Sequence, residues 1–367
     1  MRILQLGKFY PIRGGVEKVM YDLTTGLSER GVDCDMLCAC LDGGKTIELN
    51  EHGRVICVPA WKKVAATMLS PSMIRWLRKH KDEYDIVHVH HPDPMACLAL
   101  RLSGYKGRVL VHWHSDILKQ KTILKFYKPL QNWMLRRAEK IIGTTPVYVK
   151  ESPHLVDFQD KVTYVPIGIR PIDFDASKAQ EIRAAHSGKK LVFGLGRLVG
   201  YKGFTYLVGA AKHLPDDYMV VIGGQGPLKE ELEQQIISEN LENKVSLLGY
   251  MSDDEVRSWL GACDVFALSS IWKTEAFAIV QIEAMSCGKP IVTARIPESG
   301  VAWVNEDKDS GLVVPTCDSK ALADAIVALT ADEEVYRQYS SRSKARYERL
   351  FTFDLMIDNI LKIYNRK

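Results

Sequence analysis

The chain has no long hydrophobic run and no cysteine framework. No uninterrupted apolar stretch is long enough to cross a bilayer, and Met1 leads directly into a strand-like segment rather than an apolar leader. We therefore expect no signal peptide and a cytoplasmic location. The eight cysteines show no disulfide or zinc spacing, and Cys34, Cys38 and Cys40 fall on one strand-like stretch, where core filling is the better interpretation. The 367 residues, 46% apolar and 26% charged, indicate an ordinary globular protein of two domains.

The net charge is also small, at +4, but it is unevenly distributed. Residues 1–175 carry 26 Lys and Arg against 19 Asp and Glu, and the remainder carries 23 against 26. The excess lies in two segments, 61–81 and 119–140, where basic residues are mixed with aromatic ones such as Trp61, Phe126, Tyr127 and Trp133. Such segments suit an anionic membrane surface, and a solvated basic helix face is the alternative. No nucleic-acid-binding motif is present, so we expect no nucleic-acid partner.

Strand-like and helix-like segments alternate along the chain, which predicts α/β layers with parallel sheets. Strands are expected at 2–6, 33–40, 55–58, 85–90, 109–114, 140–144 and 162–166, and again at 190–194, 218–223, 244–248, 265–269 and 290–293. We place the joint near 168–178, with an N-terminal domain over 1–170 and a C-terminal domain over 171–350. A helix over 351–367 is a candidate to pack back on the N-terminal domain. Two similar halves in tandem predict a cleft between them.

Glycine-rich loops follow strands in both halves, where folds of this class bind ligands. Gly14 and Gly15 precede a helix expected from about 16 to 30, and their backbone can approach a diphosphate or a sugar closely. The loop over 194–203 contains Arg197 and Lys202, two fixed cations suited to clamping a diphosphate. A further glycine loop, 223–227, follows the next strand.

The run from Glu275 to Glu283 places two carboxylates eight positions apart around an apolar stretch. If its second half is helical, Glu283 lies in the first turns and Glu275 in the loop before them. A helix N-terminus offers backbone N–H groups to phosphate, and a carboxylate there can accept hydrogen bonds from sugar hydroxyls. An ordinary helix with an exposed acidic face is the alternative interpretation.

Four histidines lie near the ends of two predicted strands. His88 and His90 should share one strand face, and so should His112 and His114. A zinc site is conceivable, but no Asp, Glu or Cys set completes a catalytic metal pattern, and buried, hydrogen-bonded structural histidines explain most of them. We expect no metal. His114 differs from the others, because Asp116 follows where the strand ends.

In their order along the chain, these motifs resemble those of the family 4 retaining glycosyltransferases. The matching runs are Gly14-Gly15-Val16-Glu17, His112-Trp113-His114-Ser115-Asp116, Thr145-Pro146-Val147-Tyr148, Gly196-Arg197-Leu198 with Lys202-Gly203, and Glu275 to Glu283. The resemblance covers essentially the whole chain and implies the GT-B fold, in which two Rossmann-like domains with parallel sheets face a central cleft. The run over 299–305 resembles bacterial members that build O-antigen, capsule or exopolysaccharide, many of them mannosyltransferases.

The resemblance implies a role for each matching position. Arg197 and Lys202 would bind the nucleotide diphosphate, Glu283 the ribose, and Glu275 the donor sugar. The implied catalytic residues are His114, Glu275, Arg197 and Lys202, and the implied acceptor-binding residues are Glu17 and Asp116. The implied donor-binding residues are Gly14, Gly15, Arg197, Lys202, Gly224, Met251, Glu275, Phe277, Ala278, Ile279 and Glu283. Ala278 stands where the family usually has glycine, which narrows the space at the donor sugar.

The resemblance also implies the chemistry. We expect a retaining, metal-independent hexosyltransferase with no cofactor, which uses a nucleotide sugar, GDP-mannose favoured, as co-substrate. The expected acceptor is a glycan or a polyprenyl-diphosphate-linked glycan, with peripheral attachment to the inner leaflet of the cytoplasmic membrane as an option. The alternatives are a UDP-sugar donor, a nucleotide-sugar epimerase, and a non-catalytic module that binds sugar nucleotides.

Overall fold

The computed structural model describes residues 1–12, 14–64, 67–117 and 121–366, without the side chains of residues 121–125. The chain divides into two compact units. Unit 1 comprises Met1–Ile167 and Phe353–Lys367, and unit 2 comprises Gly168–Thr352. The boundary lies close to the predicted one at 170, and the last helix belongs to unit 1.

Unit 1 is built on one largely parallel sheet. Its strands are β1 (Arg2–Phe9), β2 (Asp33–Cys40), β3 (Lys45–Asn50), β4 (Gly53–Pro59), β5 (Lys62–Val64), β6 (Thr67–Leu69), β7 (Ile86–His91), β8 (Arg108–Trp113), β9 (Lys140–Gly143) and β10 (Val162–Tyr164). Its helices up to this point are α1 (Gly15–Ser28), α2 (Pro71–His80), α3 (Pro94–Ser103), α4 (Lys121–Arg137) and α5 (Pro146–Glu151). The sheet order is β10-β9-β8-β7-β1-β2-β4-β3, and only the edge strand β3 pairs antiparallel, with β4. Strands β5 and β6 form a separate hairpin.

Unit 2 repeats the plan with a fully parallel sheet. Its strands are β11 (Lys190–Leu195), β12 (Tyr218–Gly223), β13 (Val245–Gly249), β14 (Val265–Leu268), β15 (Ile291–Ala294) and β16 (Gly311–Val314). Its helices are α6 (Ala176–Ala185), α7 (Phe204–Ala210), α8 (Lys229–Ser238), α9 (Asp253–Ala262), α10 (Ile279–Ser286), α11 (Val301–Val304), α12 (Ser319–Thr330) and α13 (Glu333–Leu350). The order β13-β12-β11-β14-β15-β16 reverses direction between β11 and β14, which is the topological switch point of a dinucleotide-binding fold.

Apolar sequence patterns explain these elements. The central strands are buried along most of their length, as expected for parallel strands with helices on both faces. In unit 2, Val192 and Val220 of the sheet pack with Leu207, Leu232 and Ile326 of α7, α8 and α12 in one core cluster. The predicted α/β class with parallel sheets is therefore confirmed. The cleft between the halves stays a prediction.

Some elements were not expected from the sequence. Strand β3 is a mostly exposed edge strand of largely polar residues, so it lacks an apolar pattern, and β16 has only four residues, which is too short for a pattern to be recognised. Helix α14 (Phe353–Tyr364), by contrast, falls within the segment 351–367 where a helix was expected, and it lies on α1, where a side chain at Gly26 would collide with Ile357 and Phe353. Among the described residues, no helix combines the length and apolar character that a membrane span requires.

Candidate active site

Three glycine loops of unit 2 are bonded to one another at the carboxyl end of its sheet. Gly196 N donates to Gly223 O at 3.0 Å, and Gly224 N donates to Gly249 O at 2.7 Å. A side chain at Gly224, whose φ is +133°, would collide with the carbonyl group of Gly196. A side chain at Gly223 would collide with the sulfur of Met251. The glycines are therefore required by close backbone approach, and they hold the loops after β11, β12 and β13 in one surface.

The loops after β11 and β14 meet at the switch point of unit 2. Ile271 N donates to Tyr201 O at 2.9 Å, and Ser269 Oγ donates to Lys202 O at 3.0 Å. Across the same junction, Lys202 Nζ lies 2.5 Å from Glu275 Oε2, which also accepts a hydrogen bond from Ser270 Oγ at 3.1 Å. The structure thus brings together Lys202 and Glu275, two residues that are far apart in sequence.

The two cations of this site differ in their surroundings. The side chains of Lys202 and Glu275 are only 11% and 12% exposed. Arg197 is exposed, and within the described part of the chain its guanidinium group has no hydrogen-bond or ion-pair partner. A solvated guanidinium that no carboxylate neutralises is available to an incoming phosphate, whereas the Lys202 ammonium must leave Glu275 or share itself.

Helix α10 begins where the sequence pattern placed it. Its first residue is Ile279, so Glu275 lies in the preceding loop and Glu283 in the second turn, half-buried. Ala278, the residue before the helix, has a φ of +62°, the left-handed region that favours glycine. The structure records no acceptor among the described residues for the backbone N–H groups of Phe277 to Ile279. Unpaired N–H groups at a helix start are the kind of groups to which an anion can bind.

In unit 1, three predicted site residues lie at the start of α1, and the side chain of one of them, Glu17, is buried rather than exposed. Gly14 precedes the helix and Gly15 is its first residue. Glu17 is 5% exposed, and its carboxylate lies so close to Gly14 that a side chain there would collide with it. The carboxylate predicted to bind acceptor is therefore turned onto the backbone of its own helix start.

Asp116 is also engaged inside unit 1. Its Oδ1 accepts hydrogen bonds from Trp113 Nε1 at 2.9 Å and from Ser152 Oγ at 2.7 Å, and its backbone N–H donates to Tyr148 Oη at 2.8 Å. These bonds hold the segment that follows β8, and with it the position of His114. Asp116 therefore stabilises the conformation of this segment, a role that its sequence motif alone did not indicate.

Five histidines are buried around the carboxyl ends of β7 and β8. They are His88, His90, His91, His112 and His114. As predicted, His88 and His90 share a face, with ring centroids 5.0 Å apart, and so do His112 and His114, at 4.2 Å. Burial holds the pKa of four of these imidazoles well below the ordinary value of 6.5 and lowers that of His112 to about 3. All five rings are therefore neutral at pH 7.

The expectation that these histidines are hydrogen-bonded applies to only some of them. His88 Nδ1 lies 2.7 Å from Tyr364 Oη, and His90 Nδ1 lies 2.9 Å from His114 Nε2. His112 is the exception among the four predicted histidines, because neither of its ring nitrogens has a partner among the described residues. His112 is held instead by stacking on the rings of His114 and His90.

The ring nitrogens of His90, His112 and His114 lie within 4.8 Å of one another, which raises the question of a metal. A tetrahedral zinc ion needs lone pairs that converge on one point. The rings of His112 and His114 are stacked with 6° between their planes, so their lone pairs lie in two separate parallel planes. His90 Nδ1 and His114 Nε2 are already hydrogen-bonded to each other. The rings as placed do not fit such an ion.

The two basic and aromatic segments are only partly exposed. Trp61 is 76% exposed beside the exposed lysines of β5, and Phe126 is 84% exposed. Tyr127 is buried, so its interpretation as a surface aromatic residue is wrong. Lys119 lies outside the described residues, as do the side chains of Lys121 and Lys125.

The predicted site residues thus fall into two groups, each at the carboxyl end of its own sheet. Unit 2 holds Arg197, Lys202, Gly224, Met251, Glu275, Phe277, Ala278, Ile279 and Glu283. Unit 1 holds Gly14, Gly15, Glu17, His114 and Asp116. The sequence did not reveal Ser270, which bonds to Glu275, or Gln5 and His90, which bond to each other beside His114. A polar Gln5 inside the apolar first strand was the available signal.

The chain is similar to known proteins in sequence and in fold. The family model described as Glycosyltransferase Family 4 matches residues 13–171, and the one described as Glycosyl transferases group 1 matches residues 175–346. The O-antigen chain mannosyltransferase C of Escherichia coli is 32% identical over 370 residues, which cover 99% of this chain and 98% of that protein. A D-rhamnosyltransferase of Pseudomonas aeruginosa is 29% identical, with coverage of 96% and 92%.

A solved structure of the Anabaena protein HepE in complex with UDP covers 99% of each chain with a TM-score of 0.82, at 20% identity. At 20% identity, this similarity supports the assignment of the fold alone. The sequence relatives, the two family models and the Rossmann-like order of both sheets lead to one assignment. The chain belongs to glycosyltransferase family 4 and is a glycosyltransferase of the GT-B fold.

Proposed function

We propose that the protein transfers a mannosyl group from GDP-mannose, with retention of configuration, to a glycan in the synthesis of a bacterial surface polysaccharide. The observation that carries the proposal is the switch point of unit 2, where Lys202 pairs with Glu275 and Arg197 stands unpaired among the described residues. Two such cations suit the two negatively charged phosphate groups of a diphosphate. The choice of mannose and of an O-antigen type of product is supported by the relative named O-antigen chain mannosyltransferase C.

The chemistry requires stabilisation of a leaving diphosphate. As the bond from the sugar C1 to the phosphate oxygen breaks, negative charge grows on the diphosphate. Arg197, Lys202 and the N–H groups at the start of α10 would meet that charge where it develops, so they lower the barrier rather than only bind the substrate. These protein groups would take the part that a divalent ion has in other transferases, and the reaction is proposed to need no metal.

Retention is proposed to follow from attack on the same face from which the diphosphate departs. The acceptor oxygen bonds to C1, and its proton passes to the departing phosphate oxygen, so the enzyme needs no nucleophile of its own. Glu275 fits this scheme as a positioning group, since its Oε2 is already bonded to Lys202 and Ser270. When Lys202 turns to the phosphate, Glu275 can accept hydrogen bonds from sugar hydroxyls.

The acceptor is proposed to be a polyprenyl-diphosphate-linked glycan at the cytoplasmic face of a membrane. Exposed Trp61, which is followed by the exposed Lys62 and Lys63, and exposed Phe126, which lies near the exposed Lys128, would contact the anionic headgroups. This proposal is independent of the donor site.

A screen of nucleotide sugars tests the function. The full chain is mixed with GDP-mannose, UDP-glucose, UDP-galactose and UDP-N-acetylglucosamine, and its melting temperature and the release of nucleoside diphosphate are recorded. GDP-mannose is expected to give the largest shift and the fastest release, and NMR of the glycoside should show retained configuration. A UDP-sugar that exceeds GDP-mannose in both readouts would overturn the donor assignment, and an inverted product would overturn the mechanism.

A further inference from the structure

A chain of hydrogen bonds runs through the core of unit 1 to His114. Gln5 Nε2 lies 3.0 Å from Tyr364 Oη, Gln5 Oε1 lies 2.8 Å from His90 Nε2, and His90 Nδ1 lies 2.9 Å from His114 Nε2. Gln5 and His90 are fully buried, and Tyr364 is almost so. The chain therefore connects helix α14, the first strand and β7 to the segment after β8.

The polarity of this chain follows from the Gln5 amide. Its NH₂ group has two protons and two acceptors on its side, Tyr364 Oη at 3.0 Å and Cys34 Sγ at 3.6 Å. Its carbonyl oxygen has one donor, His90 Nε2. If the amide were turned over, its two protons would have only His90 Nε2 to donate to, and one buried N–H group would lack an acceptor. Leaving a buried donor unpaired is unfavourable, so the amide keeps its orientation.

The protons on both imidazoles are then determined. Gln5 Oε1 can only accept, so His90 Nε2 carries a proton. A neutral imidazole has one N–H group, which makes His90 Nδ1 an acceptor and requires His114 Nε2 to donate to it. Burial keeps the pKa of both rings well below 6.5, so neither carries a second proton at pH 7. The lone pair of His114 is left on Nδ1.

We propose that Gln5 and His90 are positioning residues that hold His114 as its Nε2–H tautomer, so that Nδ1 accepts a hydrogen bond from a hydroxyl group of a bound sugar. The part of His114 at the sugar rests on the proposed function, whereas its tautomer does not. In this arrangement His114 is a neutral acceptor and contributes no positive charge to the diphosphate. Tyr364, on the C-terminal helix α14, orients Gln5, so this helix contributes indirectly to the orientation of His114.

NMR spectroscopy of the full chain, labelled with ¹⁵N-histidine, tests the tautomer directly. Ring nitrogens with and without a proton differ strongly in ¹⁵N shift, and the His114 signals are identified by their loss in His114→Gln. At pH 7 the wild-type protein should show a protonated Nε2 and an unprotonated Nδ1 for His114. The opposite tautomer, or a positively charged ring, would overturn the proposal.

Gln5→Met, which keeps the side-chain volume and removes the amide, tests the positioning role. We expect the His114 signals to shift toward a mixture of tautomers and kcat to fall about tenfold, with the donor KM unchanged within about twofold. Tyr364→Phe should cause a smaller shift in the same direction. The matched control is Gln131→Met. Gln131 is buried in the same unit, but among the described residues its side chain has no hydrogen bond to Gln5, His90, His114 or Tyr364.

The possible outcomes distinguish the positioning of His114 from the proposed function. If Gln5→Met leaves the His114 signals and kcat unchanged, the hydrogen bonds from Gln5 through His90 do not position His114. Equal effects of Gln5→Met and Gln131→Met would lead to the same conclusion. If Gln5→Met fails to fold, the His114 signals of Tyr364→Phe and the tautomer of His114 in the wild-type protein still test the proposal. A wild-type protein with the expected tautomer but no transfer from any nucleotide sugar would refute the proposed function and leave the tautomer assignment standing.

Discussion

Both units are built on a Rossmann-like sheet, but they carry different chemistry at the carboxyl ends of their strands. Unit 2 presents fixed charges and open backbone N–H groups, with Arg197, Lys202 and Glu275 at its switch point. Unit 1 presents neutral imidazoles, and the two histidines of unit 2, His186 and His213, lie away from the core. The same scaffold therefore supports either kind of site, because the loops and strand ends, rather than the sheet, set the chemistry.

The comparison predicts a large difference in acid stability. His88, His90, His91, His112 and His114 have folded-state pKa values below the unfolded value of 6.5, so each takes up a proton on unfolding once the pH falls below about 6.5. Their stabilising contribution is complete above that pH and is lost as the pH falls toward the folded pKa. Each group lowers the unfolding free energy by up to about 1.4 kcal/mol per pH unit.

Hydrogen exchange with mass spectrometry, run between pH 7.5 and 4.5, checks this prediction. Peptides of β7 and β8 should lose protection at a higher pH than those of β11 and β12. His112→Leu should flatten the pH dependence of unit 1, whereas His213→Gln, at the surface of unit 2, should not. Loss of protection in unit 2 first, or equal slopes in both units, would contradict the account.

The next largest effect is expected at the charged site. Lys202→Met removes a phosphate partner and leaves the Glu275 carboxylate with Ser270 Oγ as its bonded group. Transfer should fall about 100-fold or more, and the unfolding free energy should fall as well, by up to about 3 kcal/mol. Initial rates and urea unfolding measure the two quantities. Lys320→Met, an exposed lysine of the same unit, is the control.

A double variant separates catalysis from stability. Lys202→Met with Glu275→Gln removes both charges of the pair, so stability should recover while transfer stays lost. Arg197→Ala, with Arg257→Ala as its control, should lower transfer with little change in stability, because Arg197 has no ion-pair partner within the described residues to leave unpaired. Recovery of transfer in the double variant would show that Lys202 acts only through the fold.

Much of this comparison was visible in the sequence. Apolar runs predicted the buried strands, and Gly14, Gly15 and the loop of Arg197 marked the strand ends where ligands bind. The pairing of Lys202 with Glu275 was not predictable from either motif alone, since only the strand order brings the two loops together. The bond between Gln5 and Tyr364 joins residues 359 positions apart, and local patterns carry no information about it.

A smaller effect is expected from the glycine loops. Gly224→Ala places a side chain against the Gly196 carbonyl group at a φ of +133°, and should lower the unfolding free energy by about 2–3 kcal/mol. Gly200→Ala, in the neighbouring loop, meets no atom within 4 Å and should be neutral within about 0.5 kcal/mol. Urea unfolding compares the two. Equal costs would show that the loops are not held by close backbone approach.

The smallest effect is expected at the membrane. Lys62→Glu with Lys128→Glu should weaken binding to anionic vesicles, since each lysine near such a surface contributes about 1 kcal/mol. Co-sedimentation should also weaken at high ionic strength. Lys229→Glu with Lys320→Glu makes the same charge change on unit 2 and should have no effect. Binding that ignores lipid charge, or that falls equally in both variants, would contradict a membrane role for unit 1.

In the proposed function, protein groups alone, without a metal ion, bind the diphosphate in unit 2. Calorimetric titration of the full chain with GDP and with GMP, both in EDTA, tests this claim most directly. We predict that GDP binds at least about tenfold more tightly than GMP, since charge-assisted contacts to the second phosphate contribute about 1.5–3 kcal/mol, and that Lys202→Met abolishes the preference. Equal affinities for the two nucleotides, or a preference for GDP that appears only when magnesium is added, would contradict it.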